Sequence, residues 1–235
     1  MKLLISISLA VIPVIYLLIH FYKKDNLRPE PKGLIFKVFV WGFLSTFIVA
    51  IIEIIVSTFN IFRVFPLLSI AFSAFIVAGF IEEGAKLFII KKTVYHNEKF
   101  DEIMDGIVYT ITVSLGFACL ENIIYVIGGG LTTAILRGLT AVPMHAFMSG
   151  IMGFYIGMAK FAKNKAEEKK LIKKGFKIAI ILHGLYDFLL MLIKAFPSIG
   201  VILLILVVIE LIYSGKYLKK LIIEAKKTDK ESERV

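Results

Sequence analysis

The sequence predicts an all-α, polytopic membrane bundle of about seven transmembrane helices with a polar intramembrane cavity. Hydrophobic residue types make up 58 % of the 235 residues and charged types 20 %, and the mean hydropathy is +0.85. Soluble domains lie nearer 45–50 % apolar and about 25 % charged. The apolar residues fall in long uninterrupted runs, and the basic residues lie in the segments between them. These observations exclude a water-soluble single domain.

Each apolar run is long enough to cross a bilayer, because a hydrocarbon core about 30 Å thick needs about 20 helical residues. The runs cover residues 3–22, 34–56, 64–90, 103–127, 131–159, 171–193 and 196–213. Pro13 predicts a kink in the first helix, and Gly128–Gly130 predicts a tight turn between the fourth and fifth. We expect one membrane-embedded domain over residues 1–215 and a basic cytoplasmic tail over 216–235.

The distribution of basic residues predicts the orientation. Most of the 28 Lys and Arg residues follow the first, third, fifth and seventh predicted spans. The positive-inside rule then places the N-terminus outside the cell membrane and the C-terminus in the cytoplasm. Loops that face anionic lipid explain the net charge of +10, so we expect no nucleic-acid partner. The single cysteine, Cys119, excludes a disulfide scaffold.

Ionisable side chains inside the apolar runs are the informative part of the sequence, since each costs at least ~2.5–3.5 kcal/mol near the bilayer centre. They fall on four consecutive spans, and they are Glu82, Glu83, Lys86, Glu121, Arg137, His145, His183 and Asp187. Glu82 and Lys86, like His183 and Asp187, are four residues apart and therefore share a helix face. We expect the side chains to meet in one buried place.

The charges of this group do not balance, because four carboxylates face only Lys86 and Arg137. A low-dielectric interior does not hold such an imbalance. A carboxyl group is then protonated, a histidine is charged, or a metal cation binds. The same groups would also suit a non-catalytic scaffold or an ion-coupled transporter that uses the carboxylates as a relay.

Four short motifs carry a family resemblance. They are Glu82-Glu83-Gly84-Ala85-Lys86, Phe117-Ala118-Cys119-Leu120-Glu121-Asn122, Arg137 ahead of Pro143-Met144-His145, and His183-Gly184-Leu185-Tyr186-Asp187. With these motifs in order, the sequence resembles the PrsW family of intramembrane proteases, which is related to the type II CAAX prenyl endopeptidases. The segments Arg28-Pro29-Glu30-Pro31 and Asp105-Gly106-Ile107-Val108-Tyr109 are also typical of that family. The similarity covers about residues 25–190.

The resemblance implies an endopeptidase that cuts a single-span membrane protein, such as an anti-sigma factor in a stress response. In the CAAX relatives, a paired-glutamate motif and a later histidine motif supply catalysis. Here the second motif ends in Glu121 where those relatives have histidine, and the fourth ends in Asp187 rather than asparagine. The resemblance favours Glu82 as the base and Glu83 as its partner.

Two mechanisms fit the candidate residues. In the first, Glu82 or Glu83 activates a water, His183 oriented by Asp187 protonates the leaving nitrogen, and His145, Asn122 or Lys86 stabilises the oxyanion. In the second, Zn²⁺ is bound by Glu121, His145 and His183. We favour the first scheme, which requires no cofactor. The full candidate set is, as catalytic residues, Glu82, Glu83, Glu121, His145, His183 and Asp187, with Lys86, Phe117, Asn122 and Arg137 in support.

Overall fold

The computed structural model describes residues 2–232, with side chains from residue 4 onward. It confirms the all-α prediction, and no β-strand occurs within the described range. The α-helices are α1 (Lys2–Tyr22), α2 (Lys32–Thr58), α3 (Pro66–Ala71), α4 (Ile81–Thr93), α5 (Ile103–Leu139), α6 (Ala141–Lys160), α7 (Lys165–Ala195) and α8 (Gly200–Ser232). A π-helical segment, Phe72–Phe80, joins α3 to α4, and a 3₁₀ turn, Pro197–Ile199, precedes α8.

Six continuous helical segments of the described chain are long and apolar enough to cross a membrane. One of them, Ile103–Lys160, folds back on itself at Gly130, whose φ of 65° lies in the left-handed region that glycine tolerates. Residues on either side of this turn face each other, as the contact between Arg137 and Asn122 shows. Because this segment is an antiparallel hairpin, it accounts for two of the approximately seven predicted crossings.

Small residues let the two legs of the hairpin approach backbone to backbone. A Cβ atom placed on Gly106 would lie 2.4 Å from the carbonyl oxygen of Gly153, and one on Gly153 would lie 2.3 Å from the carbonyl oxygen of Gly106. Gly157 meets the backbone of Ile103 in the same way, at 2.4 Å. Close glycine contacts of this kind are common where membrane helices pack. The hairpin therefore sets the position of α5 relative to α6.

We expect Gly153→Ala to reduce the amount of folded protein severalfold, because overpacking a tight contact typically costs about 1–3 kcal/mol and here the clash is with backbone. Gly128→Ala is the matched control, since no atom lies within 4 Å of a Cβ at that position. Membrane accumulation and thermal unfolding in detergent measure both variants. Equal accumulation of the two would show that the hairpin does not depend on this contact.

The third predicted span is not a regular α-helix. Nine of its residues, Phe72–Phe80, form a π-helix, and Glu82 and Glu83 lie in the first turn of the α-helix that follows. The π segment packs against α7: a Cβ on Gly79 would lie 3.0 Å from the carbonyl oxygen of Ile180, and one on Gly184 would overlap the ring of Phe75. π-Helical segments are rare and occur frequently at functional sites. This one directly precedes the helix that carries the glutamate pair.

The C-terminal helix α8 continues past the predicted domain boundary at residue 215. Its residues Leu218, Leu221 and Ile222 are buried in the main apolar core. Near its end, the carboxylate of Asp229 accepts hydrogen bonds from the backbone nitrogens of Ile103 (2.8 Å) and Met104 (3.0 Å). Residues 216–232 are thus helical and packed against the start of α5. Large apolar side chains cover the outside of the bundle, as expected for a surface in contact with lipid.

Candidate active site

The glutamate pair is held by a buried lysine on the same helix. Lys86 Nζ lies 3.3 Å from Glu82 Oε2 and 2.6 Å from Glu83 Oε1. The spacings of four and three residues bring these side chains to one face of α4. Glu82 is 5 % exposed, and Glu83 and Lys86 are fully buried. An ammonium group therefore neutralises part of the negative charge where water has little access.

His145 of α6 connects Lys86 to Glu121 on α5. Its Nδ1 lies 3.2 Å from Lys86 Nζ, and its Nε2 lies 2.9 Å from Glu121 Oε2. The hydroxyl of Ser114 on α5 donates to the carbonyl oxygen of His145 (2.9 Å), which fixes this turn of α6 against α5. Both ring nitrogens of His145 therefore have a partner, and its backbone carbonyl oxygen is held by Ser114.

His183 of α7 approaches the glutamate pair from the opposite side. Its Nδ1 lies 3.0 Å from Glu83 Oε1, and its Nε2 lies 3.4 Å from Asp187 Oδ2 and 3.8 Å from Glu82 Oε2. The rings of His183 and His145 meet edge to face with centroids 5.2 Å apart. The two histidines and the two glutamates thus face a common centre.

The side of this cluster that opens to its surroundings is lined by charged groups. Arg137 Nη2 lies 2.9 Å from Glu121 Oε2, and its Nε donates to Asn122 Oδ1 at 2.7 Å. The side chains of Asp187, Glu121 and Arg137 are 23 %, 18 % and 16 % exposed, whereas the inner groups are nearly closed off. Phe117 closes the inner side, with Lys86 Nζ 4.7 Å from its ring centroid.

The structure thus brings the six predicted catalytic residues and Lys86 into one connected network. We call it the buried polar cluster, and its members are Glu82, Glu83, Lys86, Glu121, His145, His183 and Asp187. The other three predicted residues border it: Phe117 contacts Lys86, Arg137 contacts Glu121, and Asn122 contacts Arg137. Sequence reasoning missed Ser149, whose hydroxyl donates to Glu83 Oε2 at 3.1 Å. It lies four residues after His145, so the helical spacing would have placed it on the same face of α6.

Four members of the cluster could hold a metal ion. One ligand atom from each of Glu82, Glu83, His145 and His183 lies within 4.8 Å of the others. Imidazole nitrogen and carboxylate oxygen are donors that Zn²⁺ accepts, so the donor set fits. Glu121, which the sequence suggested as a ligand, lies beside this group and is bound to His145 and Arg137. The ammonium of Lys86 contacts three of these four residues, Glu82, Glu83 and His145, and would have to move or lose a proton for an ion to bind there.

A polytopic helical bundle that buries paired carboxylates beside two histidines, with one side open, contains the kinds of side chain that membrane-embedded hydrolases use. The model of the protein family described as "PrsW family intramembrane metalloprotease" matches residues 30–213 of this chain. The chain therefore belongs to the PrsW family, and it is an intramembrane peptidase.

Named relatives agree over most of the chain. It is 42 % identical over 185 residues to Protease PrsW of Geobacillus kaustophilus, which covers 79 % of each protein. It is 41 % identical over 184 residues to Protease PrsW of Bacillus subtilis, covering 78 % of this chain and 82 % of the relative. Protease PrsW of Clostridioides difficile is 32 % identical over 188 residues, covering 78 % of each. No solved structure matches.

Proposed function

We propose that the buried polar cluster hydrolyses a peptide bond in a single-span membrane protein, such as an anti-sigma factor, and that Glu82 activates the attacking water. The observation that carries this proposal is the difference between the two glutamates. Glu83 is bound by Lys86, His183 and Ser149 at 2.6–3.1 Å. Glu82 has Lys86 at 3.3 Å and His183 at 3.8 Å. Glu82 therefore keeps an oxygen lone pair with which to accept a proton from water.

Glu83 has a positioning role in this scheme. Its carboxylate holds the ammonium of Lys86 and the ring of His183 in fixed places, and both of these groups also approach Oε2 of Glu82. Residues that hold reacting groups in a productive geometry contribute through orientation rather than through proton transfer. The three N–H groups of Lys86 are used by Glu82, Glu83 and His145, so the lysine stabilises negative charge developing on the substrate carbonyl oxygen through its nearby positive charge.

In this scheme His183 gives a proton to the leaving nitrogen. Its Nε2 lies 3.4 Å from Asp187 Oδ2 and 3.8 Å from Glu82 Oε2, beside the proposed base. His145 faces Lys86 with one nitrogen and Glu121 with the other, which suits it to orient the lysine. Asn122 is bound to Arg137, so we assign it to the positioning of that guanidinium.

The substrate segment enters from the side lined by Asp187, Glu121 and Arg137. A peptide bond within an α-helix has its carbonyl hydrogen-bonded inside the helix, so the substrate must unwind locally before it can be attacked. The charged groups on this side can bind the backbone N–H and C=O groups that unwinding frees. We therefore expect helix-breaking residues near the cut site to speed cleavage.

A metal-dependent form of the same reaction would use Glu82, Glu83, His145 and His183 as ligands. Zn²⁺ bound there would supply Lewis acidity and a water of lowered pKa. We favour the metal-free form, because the Lys86 ammonium already occupies hydrogen-bonding positions on Glu82, Glu83 and His145.

Metal analysis distinguishes the two forms. We expect purified, active protein to contain much less than one equivalent of zinc, and to keep its cleavage rate after treatment with a zinc chelator. Elemental analysis together with the rate before and after chelation makes the measurement. A rate that falls on chelation and returns with stoichiometric zinc would replace the metal-free form by the metal-dependent one.

The orientation proposed from the basic loops places α7 Lys165 in the cytoplasm and Ser198 outside. In intact cells, a membrane-impermeant thiol reagent should therefore label Ser198→Cys and leave Lys165→Cys unlabelled until the cells are opened. Both positions are exposed, so accessibility is matched. Labelling of Lys165→Cys in sealed cells would reverse the topology.

Co-expression with a tagged single-span substrate tests the proposed function. An anti-sigma factor is the first candidate substrate, and a tagged protein with an uninterrupted polyleucine span is the control. We expect a cleavage product from the anti-sigma factor that depends on wild-type Glu82. Equal processing in cells without this chain, or with Glu82→Gln, would remove the assignment of this activity to the cluster.

A further inference from the structure

A second group of buried carboxylates lies at the end of the bundle where α1 ends and α5 begins. We call it the acidic cluster, and its members are Asp25, Glu30, Glu102 and Asp105. All four are between 0 and 3 % exposed. One carboxylate oxygen from each of Asp25, Glu102 and Asp105 lies within 4.8 Å of the others. No residue of the candidate active site belongs to this group.

Two of these carboxylates use one oxygen to bind the protein and leave the other free. Asp105 Oδ2 accepts hydrogen bonds from the backbone nitrogens of Asp101 (2.8 Å) and Glu102 (2.7 Å). Glu30 Oε2 accepts a hydrogen bond from the hydroxyl of Tyr109. Among the described residues, Asp105 Oδ1 and Glu30 Oε1 have no hydrogen-bond partner. The protein thus fixes both groups and leaves an acceptor on each.

Asp25 provides the second, independent sign of a ligand. It is 3 % exposed, and neither of its carboxylate oxygens has a hydrogen-bond partner within the described chain. One of these oxygens belongs to the close group with Glu102 and Asp105. A buried, ionised carboxylate without a partner is costly, and proteins usually satisfy it with a hydrogen bond or a cation.

Arg28 and Lys226 lie near the acidic cluster and together offset part of the charge of its four carboxylates. Arg28 Nε lies 3.9 Å from Glu102 Oε1, and its half-exposed guanidinium also pairs with Asp101 at 3.4 Å. Lys226 Nζ donates to the side-chain oxygen of Asn26 at 2.8 Å. Oxygens of Asp25, Glu102 and Asp105 lie within 4.8 Å of one another, and negative charges at this separation repel unless positive charge is added.

We propose that the acidic cluster binds one oxygen-preferring divalent cation, of the Mg²⁺ and Ca²⁺ class. The donors are carboxylate oxygens only, which suits hard cations and differs from the histidine-containing set of the candidate active site. Asp25 and Glu30 belong to the loop between α1 and α2, whereas Glu102 and Asp105 begin α5. The cation therefore joins this loop to the start of α5 and stabilises the fold there.

Terbium luminescence in the purified full-length protein tests the proposal directly. Tb³⁺ replaces Ca²⁺ at oxygen sites and emits when a tyrosine close to it is excited. Tyr109 contacts Glu30, so a bound Tb³⁺ should show tyrosine-sensitised emission. We expect Ca²⁺ or Mg²⁺ to displace the Tb³⁺, and the more effective competitor identifies the preferred ion. Absence of displaceable emission, together with no cation-dependent change in melting temperature, would contradict the proposal.

Asp25→Asn is the decisive variant, because it removes one charge and keeps the shape. Loss of a direct ligand should weaken cation binding by at least about tenfold, since even outer-shell partners contribute 10–100-fold. In EDTA this variant should melt at a higher temperature than wild type, because carboxylate repulsion falls. At saturating cation it should melt at a lower one. That inversion does not follow from a merely structural defect.

Two controls locate the bound ion. Glu98→Gln changes an exposed acidic residue in the nearby loop, and Glu82→Gln changes the other group that could hold a metal. Both variants should bind cation as wild type does. Tyr109→Phe should weaken the sensitised emission, to which Tyr22 beside Glu30 also contributes, and keep the cation-dependent rise in melting temperature. If Asp25→Asn and Asp105→Asn bind cation as tightly as wild type, the ion is elsewhere and the proposal is wrong.

Discussion

Glu82→Gln is expected to lower the rate of substrate cleavage by about 10²–10⁴-fold, the usual contribution of a general base. Glutamine has nearly the same shape, and its amide oxygen can still accept a hydrogen bond from Lys86. It cannot take a proton from water. The variant should therefore accumulate and unfold as wild type does, and its KM should change less than its kcat.

Glu83→Gln and Glu98→Gln complete the comparison. Glu83 carries the contacts to Lys86, His183 and Ser149, so its substitution should lower both activity and accumulation. Glu98 is exposed in the loop before α5, and its substitution should change neither. Cleavage rates normalised to folded protein make the comparison. A rate for Glu82→Gln within threefold of wild type would remove Glu82 from the role of base.

Lys86→Met is expected to have the largest effect on stability. The ammonium is fully buried and lies within 3.3 Å of both glutamate side chains. Removing one partner of a buried ion pair typically costs about 3–5 kcal/mol, because it leaves an uncompensated charge. We expect little folded protein in the membrane and no measurable cleavage. Lys91→Met, which changes an exposed lysine on the same helix, is the matched control.

A second substitution separates charge from packing in this result. In Lys86→Met/Glu83→Gln one carboxylate charge is removed together with the ammonium, so accumulation should partly recover while cleavage stays absent. Quantified membrane fractions and thermal unfolding in detergent measure the recovery. A double variant that is no better folded than Lys86→Met would mean that the lysine acts through its volume and not its charge.

Sequence spacing predicted the composition of the buried polar cluster because buried charge is costly and has few structural solutions. The repeats of four residues at Glu82 and Lys86, and at His183 and Asp187, required one face on each helix. The order of the spans then brought those faces together. The spacing could not predict which donor faces which acceptor. The contact of His145 with both Lys86 and Glu121 is an example.

Three features could not be predicted from the sequence, each for a physical reason. The backbone hydrogen bonds of the π-helix at Phe72–Phe80 span five residues instead of the four of an α-helix, and its apolar composition suits either form. The charges of residues 216–232 predict a basic tail, but they do not indicate that Leu218 and Ile222 are buried in the apolar core. Asp25 and Asp105 are distant along the chain, and nothing local to either residue indicates that they meet.

The central claim is that the buried polar cluster hydrolyses a peptide bond, and isotope incorporation tests it most directly. Purified protein in liposomes is incubated with a purified single-span substrate in ¹⁸O-labelled water, and the products are analysed by mass spectrometry. We expect one ¹⁸O atom in the new C-terminal carboxylate with wild-type protein, and a product yield at background with Glu82→Gln. Equal labelled product from both proteins would contradict the account.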